Sequence, residues 1–332
     1  QGADGSWDGG GTKPAMTSFA LLCYLAHGET PASEEFGPTV EKAIKFLVEN
    51  QTADGRFNGL DGNQYGLPIA AYALSEAYGM TKVPTIQMAA EKSIDIIIKG
   101  QHASGGWNYK CGPEDRDDTS YMAWCAQALK AAHMAGLQNK GLKEAMKHAI
   151  DGFKKNHDNN KVGEYGAAGF GYTSPGSTGL TGAGVLCMQL MGAAKEKETR
   201  SGLQWLEQVT FDWQNPWGAR PIYYWYYITQ AKFHGGGDTW NNWNKVFSPQ
   251  LVKNQIVQKG AGIDGKDIGY WENAKDGHGL VYSTTLCCLM LEVYYRYLPT
   301  FQTPKDDAAA AAPAAGPAKD DKKNDIKIDI QM

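Results

Sequence analysis

"QGADGSW" (Gln1–Trp7), "QTADGRF" (Gln51–Phe57) and "QHASGGW" (Gln101–Trp107) are copies of one short motif, with their aromatic residues fifty positions apart (7, 57, 107). Looser copies follow: "GAAGFGY" from Gly166, "QNPWGAR" from Gln214 and "GKDIGYW" from Gly265. A period of this length marks a repeat architecture, in which each unit buries its apolar face against its neighbours. The motif also reads mechanically. An Asp-Gly or Ser-Gly pair makes a tight turn that needs positive φ at glycine. The Gln amide can bridge to nearby backbone, and the aromatic ring packs back on the helix before it. These residues are read as scaffold.

Each copy is followed by a loop and then an apolar helix rich in small residues: Met16 to His27, Tyr65 to Tyr78, Thr119 to Ala135, Leu180 to Met191, Ile222 to Phe233 and Val281 to Tyr297. Between them lie amphipathic stretches: Val40 to Asn50, Gln87 to Lys99, Leu142 to Lys155, Lys197 to Gln208, and Trp240 to Gln258 with a break at Pro249. In "EKAIKFLVENQ", Ala43, Ile44, Phe46 and Leu47 take one face and Glu41, Lys42, Lys45 and Glu49 the other. Helices apolar all round belong inside and amphipathic ones outside. The expected fold is therefore all-α: a closed double ring with six inner and five outer helices, the first outer helix missing. Gln1 stands where that helix would end, which reads as a fragment or a processed chain.

Composition narrows the function. The 332 residues are 42 % hydrophobic and 20 % charged, with net charge -4. Such a chain offers no broad basic field for nucleic acid. No apolar run is long enough for a transmembrane segment, and "QGADGSWDGG" lacks the regions of a signal peptide. A soluble protein of unassigned compartment is expected. Of the six cysteines, all but Cys111 lie in apolar helical stretches, where free cysteine acts as a small hydrophobe. No CxxC pair suggests a metal.

The repeated motif resembles that of the terpenoid cyclase and protein prenyltransferase superfamily, an (α/α)6 toroid, over about residues 1–300. "YYWYYITQAKFHGGG" and "VYSTTLCCLMLEVYYRYLP" resemble bacterial prenyltransferase/squalene-oxidase-repeat proteins. The resemblance implies the fold more strongly than any activity. Asp115-Arg116-Asp117-Asp118-Thr119 resembles the acid motif of class II terpene cyclases such as squalene–hopene cyclase. It implies an isoprenoid ligand, Asp117 as the proton donor that starts cyclisation, and Asp115 and Asp118 as the groups that tune it. No cofactor or metal is implied. Tyr121, Trp124, Arg220, Tyr223, Tyr224, His278 and Tyr282 are the expected substrate-binding residues, and all of them but Trp124 are expected to gather with Glu114 and the acids at one mouth of the ring. Aromatic walls would stabilise cationic intermediates.

Rival readings use the same residues. Asp and Thr are favoured helix caps, so the acids before Thr119 can serve as a cap alone. A zinc-dependent prenyltransferase would have to be assembled from Cys111, Asp115 and His278, without that family's Asp-x-Cys element. "KCGPED" (Lys110–Asp115) lacks the glutamine of a thioester. A carbohydrate-active toroid needs two opposed carboxylates, for which Asp117 or Asp118 with Glu272 or Asp276 could serve. A non-catalytic binding or assembly module fits the repeats equally well.

The toroid is expected to span residues 1–302. Beyond it, 303–332 is Ala/Pro-rich and then charged, a composition that buries no core. Residues 303–325 read as a flexible spacer. In "DIKIDIQM" (325–332), Ile326, Ile328 and Ile330 alternate with Lys327 and Asp329, the pattern of a docking strand that would tether a protein partner.

Overall fold

The computed structural model describes residues 1–60, 64–112, 116–159, 167–273 and 275–294. Glu114, Asp115 and the tail from residue 303 lie outside them. Six helices form an inner ring: α1 (Lys13–Ala26), α3 (Gly66–Thr81), α5 (Thr119–Ala135), α7 (Thr181–Leu190), α9 (Pro221–Gly235) and α11 (Gly279–Glu292). Each packs on the next, and α11 packs on α1, so the ring closes. Five helices lie outside it: α2 (Gly37–Glu49), α4 (Pro84–Lys99), α6 (Leu142–Lys155), α8 (Lys197–Trp205) and α10 (Gly237–Lys253). The fold is the all-α (α/α)6 toroid.

Burial follows the sequence pattern. Every residue of α3 from Gly66 to Ala77 is buried, and so is all of α7. In α2 only one stripe is buried, chiefly Val40, Ala43, Ile44 and Leu47, the i, i+3, i+4, i+7 spacing of a single helix face.

The motif glutamines tie the outer layer together. The Gln1 side-chain amide donates to the C=O groups of Gly5 and Thr39, at 3.0 and 2.9 Å. Gln51 donates to Gly55 and Ala89 (3.3 and 2.8 Å), and Gln101 to Gly105 and Ala145 (2.9 and 3.0 Å). Each amide thus joins its own turn to the next outer helix. The turn glycines have φ of 84°, 92° and 94°. A Cβ at Gly105 would lie 2.1 Å from the backbone oxygen of His148 in α6. The aromatics reach back as expected: the Trp107 indole N–H donates to Ile97 in α4, and that of Trp271 to Leu251 in α10, both at 2.7 Å.

Two elements differ from the sequence reading. Helix α10 continues through Pro249 to Lys253, with no break. Pro249 is exposed and only one turn from the helix end, so the carbonyl it leaves unpaired can face water. Residues 256–258 are then not helical. They form β1 (Ile256–Gln258), antiparallel to β2 (Ile268–Tyr270), with Ile256 opposite Tyr270 and Gln258 opposite Ile268. This hairpin grows out of the sixth motif copy. Among the described residues, no helix is long and apolar enough to cross a membrane.

Candidate functional site

The acids before α5 divide into two roles. Asp118 is the N-cap of α5, accepting from the backbone N–H groups of Ser120 and Tyr121 and from the Ser120 hydroxyl. Its second oxygen lies 3.7 Å from Arg116. Asp117 turns the other way, into the third repeat turn. Its Oδ1 accepts from Ser104 Oγ at 2.7 Å and meets His102 Nδ1 at 2.9 Å, while Oδ2 lies 3.1 Å from Lys155 at the end of outer helix α6.

Comparing the copies explains this orientation. In the first turn, Asp4 accepts from Ser6 and pairs with Lys13. In the second, Asp54 bonds Thr52 and Arg56. The third turn has Ser104 at that position, and Asp117 supplies the missing carboxylate from outside the motif. Gly106 makes room for it, since a Cβ there would stand 2.3 Å from Asp117 Oδ1. Burial pushes the Asp117 carboxyl up. Hydrogen bonds from Ser104, His102 and Lys155 outweigh it and hold the group below the ordinary carboxylate value. A proton donor to an alkene needs the reverse: a carboxyl protonated at rest and facing the ring axis.

The axis itself is filled by rings. Phe19 meets Trp124 and Tyr282 with centroids 5.3 and 5.9 Å apart, and Trp124 stacks on Tyr226 at 5.6 Å and packs against Tyr223 and Tyr227. Trp124, Tyr226 and Tyr227 have no exposed surface. Three of the buried tyrosine hydroxyls are bonded within the protein, Tyr223 to the Ser120 C=O (2.9 Å), Tyr121 to that of Gln64 (3.2 Å) and Tyr226 to the Gln127 amide (3.0 Å), whereas the Tyr227 hydroxyl has no hydrogen-bond partner among the described residues.

At the mouth formed by the inner-helix starts, an arc of aromatic contacts runs Tyr172, Tyr109, Tyr65, Tyr223, Tyr224, Trp217 and Trp205. The Tyr172 and Tyr109 hydroxyls meet, and Tyr65 lies 5.3 Å from Tyr109. The hydroxyls of Tyr65 and Tyr223 are 3.4 Å apart, and Tyr224 is 6.0 Å from Trp217. Tyr172 at one end and Trp217 next to the other face solvent, at 39 % and 49 % exposure. Arg116 lies over Tyr109 and Tyr172.

Beside the Trp217 end sits Asp276. It is fully buried, and its Oδ2 accepts from the Ile222 N–H at 2.7 Å, capping α9 from across the chain. Its Oδ1 has no hydrogen-bond partner among the described residues. Arg220 donates to the Asp276 C=O. Burial pushes this carboxyl up to about 6, against the pull of the Ile222 N–H and Arg220. Burial, and then Arg220, pushes the His278 imidazole down, and that ring packs on Tyr282 at 5.0 Å.

Of the expected site residues, Arg220, Tyr223, Tyr224, His278 and Tyr282 gather here with Asp276. Tyr121 lines the other half of the arc, and Trp124 lies deeper, on the axis. Asp117 and Asp118 stand at the rim in structural bonds, and Glu272 is exposed. Asp115 is outside the described residues. Sequence reasoning missed Trp217, Tyr172 and Tyr109 as rim residues, and His102 and Ser104 as the partners of Asp117. The one sequence signal was that the third turn copy lacks the Asp of the first two.

No family model and no curated protein matches the chain. Solved structures do. An α-1,6-mannanase of Salegentibacter sp. HEL1_6, with two consecutive aspartates replaced by asparagine and α-1,6-mannotriose bound, is 11 % identical with a TM-score of 0.60, covering 91 % of this chain and 95 % of its own. Cellobiose 2-epimerase of Bacillus thermoamylovorans B4167 is 13 % identical with a TM-score of 0.58, covering 84 % and 87 %. A type II terpene cyclase from Scytonema is 14 % identical with a TM-score of 0.49, covering 87 % and 76 %. At these identities the likeness establishes the toroid fold and nothing about activity.

Proposed function

We propose that the chain is a saccharide-binding toroid whose ligand lies across the aromatic mouth. The observation that carries this reading is the solvent-facing Trp217 packed on Tyr224 near one end of a continuous arc of aromatic rings at the mouth. A pyranose has apolar C–H faces that pack on flat rings and a rim of hydroxyls that a carboxylate accepts. A few convergent polar groups among aromatics are the usual makings of a small-ligand site. Two fold neighbours, a mannanase bound to mannotriose and a cellobiose epimerase, agree with a sugar ligand. An isoprenoid would need a dry tunnel, and rings occupy the axis. Hydrolysis would need a second free carboxylate opposite the first. Among the described residues, Asp117 and Asp118 are held by the turn and the cap, and binding is the reading taken here.

The test is calorimetric titration with α-1,6-mannotriose, cellobiose and a wider panel of oligosaccharides, with squalene incubated in parallel and products read by mass spectrometry. Binding of a saccharide, weakened about tenfold or more by Trp217→Ala at unchanged melting temperature, supports the reading; tenfold corresponds to about 1.4 kcal/mol. Conversion of squalene with no saccharide retained would overturn it.

A further inference from the structure

The β1–β2 hairpin is poorly covered for its composition. Ile256, Val257 and Ile268 are 39 %, 45 % and 41 % exposed, and Ile263 at the tip is 86 % exposed. It is tied down at its base and flanks: the Trp271 N–H donates to Thr284 Oγ1 in α11 (3.2 Å), and Lys266 pairs with Glu35 (2.7 Å). A two-stranded hairpin alone is marginal in water. β2 is the strand that packs on α11. Among the described residues, β1 makes no backbone hydrogen bond beyond its own ladder.

The pairing register sets the chemistry of the two faces. Side chains of paired residues, and of alternate residues in a strand, share a face. Ile256, Gln258, Ile268 and Tyr270 thus lie on one side, and Val257 and Gly269 on the other. The first face carries three apolar or aromatic side chains beside Gln258, and β1 pairs with no third strand among the described residues. The segment 326–330 carries the matching pattern, with Ile326, Ile328 and Ile330 on one side and Lys327 and Asp329 on the other.

We infer that residues 326–330 of the same chain add to the β1 edge as a third strand, with their isoleucines extending the Ile256–Ile268–Tyr270 face. An edge strand and an alternating segment meet in this way in β-augmentation, where the ladder supplies affinity and alternate side chains supply specificity. The distances allow it. The spacer from Thr303 to Ile326 is 23 positions long (326 minus 303). As a coil it spans about 26 Å. From Thr284, where the end of β2 is tied, to Tyr294 is about 15 Å at the helical rise. A spacer somewhat longer than its span gives an effective concentration of order millimolar, enough to hold a strand that would dock weakly as a free peptide.

Hydrogen exchange on the full chain and on a variant lacking 325–332 tests this. Amides of residues 256–258 are expected to exchange at least about tenfold faster without the segment, and Ile328→Lys should do the same. Lys327→Gln, on the opposite face, should leave them unchanged, and the helices α3 and α5 should keep their protection in all forms. Equal hairpin protection with and without the segment overturns the inference. Protection that rises with protein concentration also overturns it, in favour of strand exchange between copies.

Discussion

Replacing Asp117 by alanine is expected to destabilise the fold by about 3–5 kcal/mol. The side chains of Asp117 and His102 are each 1 % exposed, and Ser104 donates to the same oxygen at 2.7 Å. Hydrogen bonds to a charged group contribute about 1.5–3 kcal/mol each, and buried partners left unpaired cost more. The Lys155 side chain is 53 % exposed, so its pair adds less than about 1 kcal/mol. At about 2 °C per kcal/mol for a domain of this size, Asp117→Ala should melt roughly 6–10 °C lower. Asp117→Asn keeps an acceptor for Ser104 and His102 and should lose only about 1–2 kcal/mol. The folded Asp117 carboxyl titrates below its ordinary value, so its stabilisation is complete above the ordinary carboxylate range. It fades as pH falls through the lower folded value. The gap between wild type and Asp117→Ala should therefore be constant from about pH 5 to 8 and close in stronger acid. Thermal melts followed by circular dichroism measure this directly. An alanine variant that melts within about 2 °C of wild type, yet loses turnover of a substrate, would refute the argument and return Asp117 to catalysis.

Two further outcomes follow from the same geometry. Gly106→Ala places a Cβ 2.3 Å from Asp117 Oδ1 and should cost about 2–4 kcal/mol in urea unfolding, whereas in an Asp117→Ala background the cost should shrink by at least about 1 kcal/mol. The Asp276 carboxyl is pushed up to about 6, so the folded state binds its proton first and stability falls as pH rises from about 4 to about 6. Asp276→Asn keeps an acceptor for the Ile222 N–H; it should stabilise by up to about 2 kcal/mol at pH 7.5 and by nothing near pH 4, in melts at both values.

The architecture was legible because its signals are redundant. The Gln, the turn glycine and the aromatic recur at one period, and helix polarity alternates with them. Helix ends were less so: Pro249 looks like a stop in any sequence, but near an exposed helix end its missing N–H costs little. The site was harder. Asp117 and Asp118 are neighbours of identical chemistry, yet one caps a helix and the other completes a turn on the opposite side of the chain. Adjacent residues at a helix start diverge in direction, and composition does not record which way each one points. Asp276 could be named as an acid, but its unpaired oxygen arises from a loop meeting α9 some fifty residues away in sequence. Trp217 lies in a loose motif copy where the aromatic is displaced, so it read as scaffold.

The contact between α11 and α1 sets this molecule apart from an open array of repeats. Cys23 Sγ reaches the backbone oxygen of Thr285, 262 residues away. An open stack can gain or lose a unit at its end, and each unit is stabilised as soon as its neighbour arrives. A ring that must meet its own beginning has a fixed number of units, because deleting or inserting one changes the angle through which all the others turn. On the ribosome, the apolar flank of α1 waits for α11 through some 260 residues of synthesis, of order 13–50 s at ordinary elongation rates. During that interval the growing chain exposes the surface that its last helix will cover. That late covering of α1 is a consequence of topology, and no substitution within a single repeat removes it.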